Sequence, residues 1–163
     1  MSAIFERTSV RKYENKEVEA EKIDKILRAA MAAPSAANQQ PWEFYVVKNK
    51  ETLAALAEKS PYGSFIRDAA VAIVSVYRKE LMMPEFADID MAACTQNILL
   101  EVTELGLGAV WVGVAPLADR MESVRQILNV PEHLNPYAII PIGYPVADTQ
   151  PKDRYDAERV HFE

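Results

Sequence analysis

Near the start of the chain, in "RTSVRK", Arg7, Ser9 and Arg11 stand at alternate positions, so an extended backbone turns all three side chains the same way. Two guanidiniums flanking a hydroxyl suit a phosphate, since each offers a fixed charge and a bidentate fork of N–H donors. A solvated arm is the plainer account of the same residues, because surface charge is the norm. Near the other end "PKDR" sets Lys152 and Arg154 in the same alternation, and the two cationic pairs would have to meet in space to share one anion. A third stretch, "APSAANQQPW" at 33–42, crowds Asn38, Gln39 and Gln40 between Pro34 and Pro41. The prolines explain the stops on either side; three amides between them present hydrogen-bonding groups to something beyond a core. "GLGAVWVG" at 106–113 contains G-x-G, but after a helix and before a strand, the reverse of what a dinucleotide-binding turn requires. Gly106 and Gly108 read as a helix stop and a tight turn, whereas Gly113 inside a strand marks close approach of backbone to a ligand.

Side chains that catalyse by themselves are scarce. The two histidines, His133 and His161, lack the spacing to Cys, His or Glu that a metal site needs, so no metal is expected. Ser9, Ser35 and Ser75 have neither a nucleophile-elbow setting nor a histidine partner. Cys94, the single cysteine, falls on an inward helical stripe and reads as a small core residue. With no internal disulfide possible and no leader pattern at the start, a cytoplasmic location is expected. A net charge of −6, from 18 Lys and Arg against 24 Asp and Glu, disfavours nucleic acid. No apolar run reaches the ~18 to 20 residues that span a bilayer, so no membrane partner is expected either. The predicted catalytic side-chain set is empty, and the chemistry must come from a borrowed cofactor.

The elements that would position these residues alternate along the chain. Ile23, Ile26, Leu27, Ala30 and Met31 predict an amphipathic helix over 19–33, ended by Pro34. "EFYVV" (43–47) is a strand, 50–59 a helix, and "AAVAIVSVY" (69–77) a strand buried on both faces. A long helix begins near Asp88 or Asp90 and stops at Gly106; "AVWVGV" (109–114) is a strand, 118–128 a helix, and 137–145 the last core strand. The expectation is one α+β domain over residues 1–163, three layers with a sheet of about four strands. The polar tail after Pro145, with Tyr155, Val160 and Phe162, either frays or wraps onto a partner subunit.

Taken together, "RTSVRKY", "ILRAAMAAPSAANQQPWEFYVV" (26–47), "LLEVTELGLGAVWVG" (99–113), "AIIPIGYP" (138–145) and "PKDR" (151–154) resemble the nitroreductase family of FMN-dependent oxidoreductases, in that family's order and over almost the whole chain. The resemblance implies a three-layer α+β fold with a mostly antiparallel central sheet, a homodimer with FMN at the subunit interface, and a C-terminal tail on the partner. Carried over by residue, Arg7, Ser9 and Arg11 with the Thr8 backbone hold the phosphate and ribityl end, and Lys152 and Arg154 close over it. Pro34, Ser35, Ala36 and Asn38 line the flavin ring from the other subunit; Trp111, Val112 and Gly113 border its other side, the Gly113 N–H near N5. NADH or NADPH is then the transient electron donor to a small-molecule acceptor, a nitroaromatic, quinone or relative, in a ping-pong cycle. A flavin-binding or storage module without turnover, and a specialised reduction such as dehalogenation or flavin fragmentation, are the alternatives. Two departures stand out. Residues 79–90 are shorter than the excursion larger members carry, leaving the pocket more open or gated by Met82, Met83 and Phe86. In "SPYGSFIRD" (60–68) an expected Asn and Lys are missing, with Tyr62, Phe65 or Arg67 to replace them.

Overall fold

The apolar run predicted to be buried on both faces is the centre of the sheet. In the computed structural model, which describes residues 2–147 and 150–163, β2 (Val71–Arg78) pairs antiparallel with β1 (Trp42–Val47) on one side and β5 (Leu134–Gly143) on the other. The far edge of β5 carries two short antiparallel strands, β3 (Gly108–Ala109) and β4 (Val112–Gly113). Successive side chains leave a strand on opposite faces. Accordingly Val71, Ile73, Ala138, Ile140 and Ile142 pack with Ile23 and Ile26 of α2 (Ala20–Met31) and Met91, Cys94 and Ile98 of α4 (Ala87–Glu104). On the other face Ala72, Val74 and Ile139 meet Leu53 and Leu56 of α3 (Lys50–Glu58) and Val124 of α5 (Ala118–Leu128). The expected α+β layering of helices, sheet and helices is what forms, and each fully buried Ile or Leu contributes roughly 1.5–3 kcal/mol by leaving water. A short helix, α1 (Ala3–Glu6), precedes it.

The single strand expected over 109–114 is instead two, and the sheet has five strands where about four were expected. Gly108 and Ala109 face Gly143 and Ile142, and Val112 and Gly113 face Ile139 and Ala138, so one register runs through both pieces. In that register Val110 stands opposite Pro141, which has no N–H to donate, and the ladder lapses there. The Pro141 carbonyl accepts instead from the Tyr13 hydroxyl at 3.2 Å. The last strand also starts at Leu134, earlier than residue 137, because the ladder with β2 continues to Arg78.

The chain before α2 lies along this interrupted edge. Val10 N donates to Ala109 O at 2.9 Å, Ser9 bridges Ala109 in parallel, and Tyr13 bridges Pro145. Val10 is buried between exposed Ser9 and Arg11, as in an extended segment, whereas Tyr13, buried three residues further on, falls outside that alternation. Glycine makes the contact possible. A Cβ on Gly108 would stand 2.7 Å from Val10 Cβ, and one on Gly143 would stand 3.0 Å from Tyr13. Gly108 therefore serves the docking of the arm and not a tight turn.

Beyond Pro145 the described part of the tail holds one 3-10 turn, at Ala157–Arg159. Its apolar side chains stay in solvent, Phe162 at 92% exposure. Asp148 and Thr149, within the tail, lie outside the described residues. Substituting Gly108→Ala should displace the arm and lower stability by roughly 1–3 kcal/mol, as overpacking does. A denaturant midpoint for the variant checks this, and an unchanged midpoint would mean the arm is not held by that contact.

Candidate cofactor site

The arm and the tail converge. Arg7, at the end of α1, lines a cavity of about 580 Å³ with Phe5, Lys152, Arg154 and Tyr155, so the cationic pairs from opposite ends of the sequence do share one space through Arg7. None of Arg7, Arg11, Lys152 and Arg154 forms a salt bridge with a described residue. Asp153 also lines the cavity, so three cations face one carboxylate there, and the surplus of positive charge favours an anion. Next to Arg7, Thr8 Oγ1 is buried with no hydrogen-bond partner among the described residues, which is uncommon for a hydroxyl. Ser9, the hydroxyl singled out from the sequence, is exposed.

Arg11 lines instead a second cavity of about 190 Å³, walled by Trp111, Val112 and Gly113 and by Lys59, Tyr62 and Phe65. Its guanidinium lies 5.8 Å from the Phe65 ring centroid. Trp111 leans on Tyr137 with ring centroids 5.9 Å apart. Gly113 differs from Gly108 in what surrounds it: an added Cβ would meet nothing within 4 Å. No packing within the chain demands glycine there, and the open space beside bare backbone fits a flat ring lying against it. Arg120 Nη1 donates to Gly113 O at 3.0 Å and fixes that peptide. Of the three residues weighed in 60–68, Tyr62 and Phe65 line this cavity, whereas Arg67 lines a depression with Lys12 and Lys50 that Arg11 also borders. Lys59 and Arg120 went unnoticed in the sequence. Lys59 closes the helix just before the 60–68 loop, and Arg120 lies on a helix with no local sign of what it contacts.

The loop 33–42 lies apart from both cavities: Pro34, Ser35, Ala36 and Asn38 line neither. It is a left-handed turn, with φ of 48° at Ala37, 53° at Asn38 and 46° at Gln40. For residues other than glycine such backbone costs of order 1–3 kcal/mol each and persists only where the surroundings over-determine it. The surroundings here do so. Asp90 Oδ1 accepts from Ala36 N at 2.9 Å and Asp90 Oδ2 from Gln39 Nε2 at 2.7 Å. Ser35 Oγ accepts from Gln40 N at 3.0 Å, and Arg78 Nη2 donates to the carbonyls of Gln39 and Gln40. Of the three amides, Asn38 and Gln40 are exposed and paired with each other, Asn38 Oδ1 accepting from Gln40 Nε2 at 3.1 Å. Gln39 turns inward and pairs reciprocally with Met83: Nε2 to Met83 O at 3.1 Å and Met83 N to Oε1 at 3.0 Å. Met83 is therefore an anchor, while Met82 and Phe86 remain exposed. Trp42 is core.

No group of His, Cys, Asp and Glu among the described residues is arranged to hold a metal. Cys94 is buried, and burial pushes its thiol up to about 12. Burial, then the charge of Asp88, pushes the Tyr137 hydroxyl up to about 12.

Fold and site together define the class, an α+β oxidoreductase of the nitroreductase fold. A solved protein from Clostridium acetobutylicum superimposes with a TM-score of 0.96 at 43% identity over 99% of both chains. The chain belongs to the nitroreductase family: the model described as "Nitroreductase family" matches residues 4–61 and 57–144. It is 46% identical over its whole length, and over 86% of the relative's, to a Methanothermobacter thermautotrophicus protein named "Putative NADH dehydrogenase/NAD(P)H nitroreductase". A Desulfovibrio desulfuricans protein solved in complex with FMN matches 99% of this chain and 94% of its own at 32% identity and a TM-score of 0.84.

Because Cys94 and Tyr137 keep their protons in the fold at a pH where an unfolded chain, with ordinary values of 9.0 and 10.0, releases them, stability should fall as pH rises from about 9 toward 12. A urea midpoint that stays level over that range would contradict the burial of these groups. Cys94 should likewise resist a thiol reagent until denaturant is added.

Proposed function

We propose that the protein is an FMN-dependent oxidoreductase that transfers hydride from NADH or NADPH to nitroaromatic, quinone or related small-molecule acceptors in a ping-pong cycle. The observation that carries this is the pair of cavities on the arm, the Arg7–Lys152–Arg154 cavity, next in sequence to the unpartnered Thr8 hydroxyl, and the Gly113-edged cavity entered by Arg11. A phosphate fits the first and an amide-rich planar ring the second. Family membership and the FMN complex of the Desulfovibrio relative support the same cofactor.

Arg7, Lys152 and Arg154 would neutralise the phosphate, with Thr8 and Ser9 supplying hydrogen bonds beside it. Arg11 and Lys59 would face the polar edge of the ring, and Trp111, Val112 and Gly113 would form its backing. Bound FMN supplies the hydride-accepting and hydride-donating centre, which is why no side chain need act as acid or base. Arg120, holding the Gly113 carbonyl, keeps the backing strand in place.

Pro34, Ser35, Ala36 and Asn38 belong to this site only if a second subunit brings them to it, which makes the working unit a homodimer. Exposed Ile4, Phe5, Ile89, Tyr155 and Phe162 are apolar surface that such an association would cover, the tail reaching across it. Among the described residues no helix is long and apolar enough to cross a membrane, and a single domain working in the cytoplasm accords with that.

Purified protein should show flavin absorbance, or acquire it with added FMN, and anaerobic NADH or NADPH should bleach it, with a nitroarene or quinone restoring the colour. Protein that stays colourless with FMN present contradicts the proposal, and bound flavin that neither nucleotide reduces makes the chain a flavin-binding module. Gly113→Ala should leave stability within about 0.5 kcal/mol, since the methyl meets nothing in the chain. The same methyl should weaken FMN binding by roughly tenfold or more, the overpacking penalty against the ring. Unaltered affinity in that variant would place the ring elsewhere. Asn38→Gly, which tolerates the left-handed backbone better than a leucine would, should weaken FMN binding and leave the fold intact; wild-type affinity would remove Asn38 from the site.

A further inference from the structure

We infer that Asp90 is the positioning residue of the flavin-edge loop and that, through Gln39, it couples this loop to the segment bearing Met82 and Phe86. The inference rests on the proposed flavin site. Asp90 lies on the inward face of α4, 4% exposed, one helical turn before Cys94. A carboxylate in that place is strongly disfavoured unless its oxygens are hydrogen-bonded. Both are, and by loop 33–42: the Ala36 N–H takes Oδ1 and the Gln39 amide takes Oδ2.

The two donors bracket Ala37 and Asn38, both at positive φ. One buried carboxylate thus holds the two ends of a strained turn, and the side chain the turn presents outward is Asn38. An apolar side chain in this place would avoid the desolvation of a charge, so core stability alone does not account for Asp90. A strained turn maintained by a buried charge is the usual mark of a preformed recognition element.

Gln39 extends the hold. The amide that donates to Asp90 also donates to Met83 O, and its oxygen accepts from Met83 N. Loosening Asp90 frees the Gln39 side chain, and with it the peptide that sets Met82 and leads into the turn at Pro84–Phe86. The ring edge and the short segment 79–90 therefore move as one unit.

Asp90→Asn is nearly isosteric, keeps an oxygen for Ala36 N, and turns an NH₂ toward the NH₂ of Gln39. In hydrogen exchange on FMN-free protein, the amides of 34–40 and of Met83 should both exchange faster in this variant, by about tenfold, while β2 and β5 are unaffected. FMN affinity should fall by about tenfold, the loss of one charge-assisted bond, and the flavin absorbance bands should shift toward those of free FMN. The swap Asp90→Asn with Gln39→Glu recreates a donor facing an acceptor and should restore protection at 34–40 and much of the affinity. If Asp90→Asn does not fold, Gln39→Met removes the same link from the more exposed side and should speed exchange at Met83. Exchange at 34–40 and Met83 that is unchanged, or changed at only one of the two, would overturn the inference. If wild-type protein binds no FMN, the proposed function fails, and the exchange measurements still decide the role of Asp90.

Discussion

The pairing of the far edge of β5 with β3 and β4 is the constraint on which the site depends. That one register places Ala109 to receive Val10 N, which docks the arm, and places Gly113 at the wall of the cavity that Arg11 enters. Pro141 interrupts the ladder in its middle, and Tyr13, reaching from the arm, supplies the hydrogen bond to its carbonyl. Arm and edge are consequently one structure. The arm cannot shift without exposing an unpaired carbonyl, and the edge cannot shift without moving Gly113.

The two groups of candidate residues are held by different means. On the arm and tail the cations form no salt bridge with a described residue, and the arm is held by backbone bonds, so the site is electrostatically primed and structurally inexpensive. In the 33–42 loop the reverse holds: the backbone is strained, and a buried carboxylate, an arginine and a serine hydroxyl are all spent on it. Charge attracts a phosphate from a distance, whereas the edge of a planar ring is recognised by donors and acceptors fixed in direction.

Much of this was legible from the residues. The near-continuous run "AAVAIVSVY" reads as a doubly buried strand because alternation is lost only where both faces are covered, and the helices show their inward stripes. The glycine at 113 and the amide-rich loop announce themselves by composition. The rest needed tertiary context. Nothing local in "AVWVGV" reveals a break, since its cause, Pro141, sits in another strand and acts through register. That Arg7 would meet Lys152 and Arg154 is a long-range fact. That Gln39 faces inward while Asn38 faces out depends on Asp90, some fifty residues away. Asp90 did carry a signal, a charged residue at an apolar-stripe position of a long helix, and such a residue buried in a core asks for a partner.

The central claim is that a flavin site is assembled from the arm, edge strand and tail of one subunit and the 33–42 loop of another. The most direct test mixes two damaged chains, Arg7→Ala/Lys152→Ala and Asn38→Gly, each of which should bind FMN weakly as a homodimer. If the site is shared, the mixed dimer combines both lesions in one site and leaves the other whole, so isolated mixed dimers should bind one FMN with wild-type affinity. If each site lies within a single chain, both sites of the mixed dimer are damaged and no tight FMN binding appears, which would contradict the account.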